Sequence, residues 1–281
     1  MSLAEVRFPL AWGELAGLRQ ERAGRARVIA LHGWLDNAAS FLPLLPFLPE
    51  LDLVLLDLPG HGRSAHLPPG LDYGLGVHLH AVLDVADHLG WERFALLGHS
   101  MGAAISSMVA VAAPERVERL ALIETLGPLA EREDHTASRV RQSVAAARRG
   151  AGRGLRTFPD LAVAVRARMQ ANQILEDSAR LLVERGTRAV EGGYTWSSDP
   201  RLTLPALQRY SEAQVMDLLA AVQCPLRLLY AEPAQEYFPE ELRQARLQAV
   251  PQAELVRMAG GHHLHMDQPR QVAGVFAGFL G

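Results

Sequence analysis

Short apolar runs recur along this chain, and each stops at glycine, proline or a polar residue. Val28, Ile29, Ala30 and Leu31 run into His32 and Gly33; Leu53, Val54, Leu55 and Leu56 run into Asp57, Pro59 and Gly60. Phe94, Ala95, Leu96 and Leu97 stop at Gly98, and Leu120, Ala121, Leu122 and Ile123 stop at Glu124. Two later runs, over 226–230 and 254–258, close the series. Runs this short, apolar throughout rather than alternating, suit strands buried on both faces of a parallel sheet. Helical spacing fills the gaps. Over 78–89, Val82, Val85, Ala86 and Leu89 share one face; 101–113 is small and apolar and stops at Pro114; 268–280 closes the chain. Strand–helix alternation predicts an α/β fold, a doubly wound sheet with helices on both faces. Residues 4–20, with Pro9 and Gly13 as turn residues, predict an antiparallel hairpin on the sheet edge.

One region breaks the alternation. Between about 126 and 223 strand signals fade, and helices are expected at 134–149, 159–172, 176–191 and 211–222, with glycine-rich joints at 150–154 and 192–193. The reading is a helical cap, 126–223, inserted into an α/β core made of 1–125 and 224–281. Such an insertion would cover the C-terminal edge of the sheet, where open α/β sheets place their sites.

Composition excludes several classes of function. The formal net charge is −3, and all 28 basic residues are arginine, with no lysine. That reads as compositional bias, and neither a nucleic-acid partner nor an anionic surface is expected. A single cysteine, Cys224, rules out an internal disulfide and suggests a reducing, cytoplasmic setting. Cys224 sits before Pro225 at the start of an apolar run, the place of a buried structural thiol rather than a nucleophile. Residues 1–10 lack the pattern of a signal peptide. No window is apolar enough to insert in a membrane; 41–58 comes closest, but prolines and acidic residues interrupt it.

The chemistry gathers at strand ends. Gly98-His99-Ser100-Met101-Gly102 follows a predicted strand and opens a predicted helix, the context of a nucleophile elbow. Small residues allow the tight turn, and the helix N-terminus favours a developing oxyanion. Ser100 is the expected nucleophile. After the last predicted strand comes Gly261-His262-His263-Leu264-His265. His262, nearest the strand end, is the expected general base; His263 and His265 read as packing or supporting residues. The base needs an acid to hold its tautomer. The loop after 226–230 is a common place for one, but it reads Ala231-Glu232-Pro233-Ala234-Gln235-Glu236, with Ala234 where an aspartate would be sought. Glu124, at the end of the strand beside the nucleophile strand, is preferred; Glu232 and Glu236 stay open. Backbone N–H groups of Met101 and of Trp34, in the loop after the first parallel strand, would form the oxyanion hole, with the Trp34 indole lining the pocket. His32 reads as a loop-orienting residue, and Asp57 to Ser64 as a structural turn.

These motifs, His32-Gly33, Asp57-x-Pro59-Gly60-His61-Gly62-x-Ser64, Gly98-x-Ser100-x-Gly102 and Gly261-His262, resemble the α/β-hydrolase superfamily in order and spacing. Within it, 32–41, Gly193-Tyr194-Thr195-Trp196 and 262–269 resemble the serine hydrolase-like proteins. The resemblance implies an eight-stranded, mostly parallel sheet with a helical cap. It also favours Glu124, because relatives such as haloalkane dehalogenases can carry the acid after this strand. Dehalogenases and epoxide hydrolases use an aspartate nucleophile, so Ser100 argues against both activities.

The expectation is a carboxylesterase working through an acyl-enzyme on a small to medium, fairly hydrophobic ester. Hydrolysis of a C–C bond, perhydrolysis, and a non-catalytic ligand receptor on the same fold are the alternatives. No cofactor or metal is expected, because the histidines lack a ligand set with acidic or cysteine partners.

Overall fold

The computed structural model describes residues 3–150 and 155–281. The chain opens with a hairpin, β1 (Ala4–Leu10) and β2 (Gly13–Gln20). It continues through β3 (Arg27–Leu31), β4 (Asp52–Leu56), α1 (Leu75–His88), β5 (Phe94–His99), α2 (Met101–Ala112) and β6 (Val117–Ile123). It then leaves the sheet for α3 (Thr136–Arg149), β7 (Thr157–Phe158), α4 (Leu161–Asn172), α5 (Glu176–Gly186), β8 (Thr187–Val190), β9 (Gly193–Trp196) and α6 (Glu212–Ala220). It returns as β10 (Leu226–Glu232), α7 (Glu240–Gln248), β11 (Ala253–Ala259), a single turn α8 (Leu264–Asp267) and α9 (Pro269–Leu280).

Among the described residues the main sheet has eight strands in the order β1-β2-β4-β3-β5-β6-β10-β11. The edge hairpin is antiparallel, as is β2 on β4; every other pairing is parallel. Side chains alternate across it, as a pleated strand requires. Ile29, Leu31, Leu96, Leu120 and Leu122 face the layer of α1 and α2. Val28, Ala30, Leu97, Ala121 and Ile123 face the layer of α9. Both faces are therefore dry, which is why the runs carry no polar alternation. Phe276 of α9 is buried in the second layer. Phe276→Ala should cost about 3–5 kcal/mol of stability, read as a lower urea midpoint with an unchanged slope.

The stretch between β6 and β10 departs from the all-helical expectation. β7, β9 and β8 form a small three-stranded antiparallel sheet. The helix expected over 176–191 stops at Gly186, and β8 follows. A turn with Gly192 at φ +83° leads into β9. Thr187, Tyr194, Thr195 and Trp196 are β-branched or aromatic, and their strand preference outweighs the helical pattern continued from α5. Of the expected joint at 150–154, only Gly150 lies within the described residues.

This insertion rests on the loops at the C-terminal ends of β3 and β4. Arg185 of α5 is buried, with its Nε 3.0 Å from both carboxylate oxygens of Asp57, and its Nη1 is 2.6 Å from Glu5 of β1. Asn37 donates to the Leu182 carbonyl at 2.8 Å, and the Trp34 indole donates to the Leu202 carbonyl at 3.0 Å. The turn at 57–64 is structural as expected, since Ser64 Oγ donates to the Asp57 carbonyl at 2.5 Å. Asp57 has a further task, because its buried carboxylate anchors the insertion.

Candidate active site

Ser100 occupies the turn between β5 and α2 with φ +50° and ψ −116°, a conformation a non-glycine residue adopts only under constraint. The constraint comes from its neighbours. Ser100 N–H donates to the Ile123 carbonyl at 2.9 Å, and the Ser100 carbonyl accepts from Ala103 and Ala104. A Cβ on Gly98 would sit 2.6 Å from Ala103 N, and one on Gly102 would collide with the Leu31 carbonyl oxygen. Strand β3 thus passes so close to the helix start that only glycine fits. Gly102→Val should leave little soluble protein; recovery of wild-type yield and melting temperature would refute the packing argument.

His262 lies in the loop between β11 and α8. Its Nε2 accepts from Ser100 Oγ at 2.9 Å, and its Nδ1 donates to Glu124 Oε2 at 3.1 Å. Glu124 is buried at the end of β6 with φ +70°. Its own N–H is tied to the Leu229 carbonyl at 2.8 Å, and its second oxygen accepts from Ala231 N–H. The other two candidate acids stand apart. Glu232 is exposed and faces Arg257 at 3.4 Å, and Glu236 is exposed in the loop that follows.

Residues 26–225 match the family described as the alpha/beta hydrolase fold. A serine hydrolase-like protein of Danio rerio is 30% identical over 99% of this chain and 88% of its own length. The chain is an α/β hydrolase of the serine hydrolase-like family. A hypothetical protein from Pseudomonas aeruginosa PAO1 superposes on the hydrolase with a TM-score of 0.93 and 43% identity, covering 100% of this chain and 99% of its own. A thioesterase domain from the curacin biosynthetic pathway superposes with a TM-score of 0.84 and 25% identity, covering 98% and 99%.

Around the Ser100–His262–Glu124 line, the hydrolase has two sets of supporting groups. Trp34 and Met101 stand at the starts of the loop after β3 and of α2. The Trp34 side chain is 52% exposed, and its indole is hydrogen-bonded to the insertion. His32 orients this loop, its Nδ1 donating to the Gly33 carbonyl at 2.8 Å while its Nε2 accepts from Leu58 N–H at 3.0 Å.

Two groups escaped the sequence reading. Arg243 of α7 is fully buried and places Nη2 3.7 Å from Glu124 Oε1. It also donates to the Ala231 and Phe238 carbonyls at 2.8 and 3.1 Å and stacks on Tyr230. A guanidinium here keeps the Glu124 carboxylate compensated in the dry interior. No spacing rule points to an arginine on the core face of a helix.

The second is Asp36. Its carboxylate accepts from His263 Nε2 at 3.1 Å, is paired with Arg168 of α4, and lies 3.6 Å from His99 Nδ1. Burial pushes its carboxyl up, but His263 and Arg168 outweigh that and hold it well below the usual carboxylate range. Asp36, His99 and His263 bring donor atoms within 4.8 Å of one another, so these histidines do have an acidic partner. That corrects the expectation from sequence. The spacing alone would suit a metal ion. Arg168 nevertheless already supplies positive charge to Asp36, and His263 a hydrogen bond. His265 is buried beside them, hydrogen-bonded to Ser40 Oγ at 2.7 Å.

Cys224 is buried as expected, and burial pushes its thiol up to about 11, too high for a thiolate nucleophile at neutral pH. No described helix is long and apolar enough to cross a membrane.

Five imidazoles are held neutral by burial. Desolvation pushes His61 and His99 down to about 4 and His78 to about 3, and His32 and His265 well below their ordinary value. In the unfolded chain these groups protonate near pH 6.5. Their contribution is therefore complete above that pH and is lost as the pH falls from about 6.5 toward 4, with the unfolded state taking up the protons. Each ring protonates more readily in the unfolded chain than in the folded one over this range, so their effects act in the same direction. The melting temperature should fall steeply between pH 6.5 and 5, with a smaller drop in His78→Phe. A flat profile over that range would refute the assignment.

Proposed function

We propose that the protein is a serine carboxylic-ester hydrolase that works through an acyl-enzyme. Ser100 is the nucleophile, His262 the general base, Glu124 the acid, and the Trp34 and Met101 N–H groups the oxyanion hole. The observation that carries this reading is the unbroken hydrogen-bond line from Glu124 Oε2 through His262 to Ser100 Oγ, at 3.1 and 2.9 Å. In that line the carboxylate can only accept. It fixes the proton on His262 Nδ1 and leaves the Nε2 lone pair facing the serine O–H.

The reaction then follows from the groups in place. As Ser100 Oγ attacks the ester carbonyl, its proton passes to His262 Nε2, and Glu124 stabilises the imidazolium. The carbonyl oxygen becomes an oxyanion between the two N–H groups at the start of α2 and after β3. The proton returns to the departing alcohol, the acyl group stays on Ser100, and water, activated by the same histidine, releases the acid.

The insertion, residues 126–223, serves as the cap over this centre, and 1–125 with 224–281 as the core. The small-molecule substrate enters between them. The apolar side chains of the insertion favour a small to medium hydrophobic acyl or alcohol group. No cofactor enters the scheme, and a reducing cytoplasmic setting suits a chain with one buried thiol.

A series of p-nitrophenyl esters from acetate upward tests the reading, with matched acyl thioesters prompted by the similarity to the thioesterase domain. Turnover, with covalent labelling of Ser100 by a fluorophosphonate, is expected, and chain-length preference would size the pocket. Absence of both turnover and labelling would overturn the enzyme reading and favour a non-catalytic receptor.

A further inference from the structure

His99, between Gly98 and Ser100 in the elbow, has no role in the scheme above, yet it is fully buried against the catalytic line. Its Nε2 lies 2.8 Å from the main-chain carbonyl oxygen of His262. A carbonyl can only accept, so the proton of His99 sits on Nε2 and is donated to it. The ring is neutral, because burial together with His262 and His263 pushes it down to about 4. Nδ1 then presents a bare lone pair 3.6 Å from Asp36 Oδ2, with no hydrogen bond of its own.

The other side of the same loop is also gripped. His263 Nε2 donates to Asp36, and Asp36 is paired with Arg168 on the insertion. Gly33 makes room for this packing, since a Cβ there would sit 2.9 Å from His99 Nδ1 and 3.0 Å from Asp36 Oδ2. The imidazole of His262 is 21% exposed, and its ring nitrogens are hydrogen-bonded to Ser100 and Glu124. Its main chain is fixed from beneath.

We propose that His99 is a positioning residue for His262, its Nε2–H holding the His262 carbonyl so that strand β5 delivers both the nucleophile and the anchor of its base. Asp36 completes the grip through His263. The consequence is geometric: the distance from base to nucleophile is set at the end of β5 as well as by the loop after β11. Misplacement by about 1 Å costs on the order of 100-fold in rate.

The inference rests on the proposed ester hydrolysis for its kinetic test but not for its spectroscopic one. His99→Leu removes the donor, and His99→Gln keeps an N–H able to reach the carbonyl. His99→Leu should lower kcat and the fluorophosphonate labelling rate about 10–100-fold with KM within about twofold. His99→Gln should recover most of that loss. The low-field proton resonance of His262 Nδ1–H, assigned by its loss in His262→Gln, needs no substrate. It should persist in His99→Gln and broaden away in His99→Leu. Full labelling in a folded His99→Leu, or equal impairment of both variants, would overturn the proposal in favour of plain packing. If wild type neither turns over esters nor labels, the ester reading fails on its own, and the resonance in the two variants still decides the role of His99.

Discussion

Ser100→Ala should abolish covalent labelling by fluorophosphonates and lower kcat on any ester the protein turns over by roughly a millionfold. The size follows from the way the line acts as a unit. Without Oγ, His262 has no proton to accept from the nucleophile, and no acyl-enzyme can form. What would remain is the proposed pair of main-chain donors at Trp34 and Met101, and an oxyanion hole alone gives about a thousandfold over the reaction in water. Alanine keeps the Cβ and leaves untouched the backbone bonds that hold the strained turn, Ser100 N–H to Ile123 and the Ser100 carbonyl to Ala103 and Ala104. The melting temperature should therefore stay close to wild type, which separates a lost nucleophile from a lost fold. Labelling that survives in Ser100→Ala would place the reactive group elsewhere.

Glu124→Gln should cost about 10³–10⁴-fold in kcat with little change in KM. The hydrogen-bond pattern predicts how. Ala231 N–H needs an acceptor, so the glutamine carbonyl takes the position of Oε1, and its NH₂ takes that of Oε2, facing His262 Nδ1. An NH₂ can only donate there. It forces the imidazole into the other tautomer, with a proton on Nε2 pointing at the serine. The base is then blocked rather than merely unsupported. Arg243, now facing a neutral amide, adds a destabilising uncompensated charge. Glu232→Gln and Glu236→Gln should retain wild-type kcat. A normal rate in Glu124→Gln, or a collapse in Glu232→Gln, would return the acid to the loop after β10.

The sheet could be read from the sequence because its strands are dry on both faces, and dryness writes itself as unbroken apolar runs such as 28–31 and 120–123. The elbow could be read for a related reason, since Gly98 and Gly102 are dictated by backbone crowding that admits no other residue. The small sheet of β7, β8 and β9 was less visible, because strands of two to four residues carry too few positions to show a period. The supporting charges were hidden altogether. Arg243 and Asp36 act through neighbours distant in the chain, and their burial reverses what a charged residue ordinarily signals. Glu124 fell between these cases: its place at a strand end was legible, while its contact with His262 needed β10 and β11 to be set beside β6.

Because the carboxylate is supplied from the end of β6, β10 contributes a peptide N–H, that of Ala231, to the charged line, and the loop after it contributes no acid. A peptide N–H is present whatever side chain follows it. Positions 234–237, including the half-exposed Tyr237 whose hydroxyl sits 3.4 Å from both ring nitrogens of His262, are thereby released from carrying charge. The rim of the site on that side becomes editable ground, where selection or an engineer can reshape what enters without disarming the chemistry beneath.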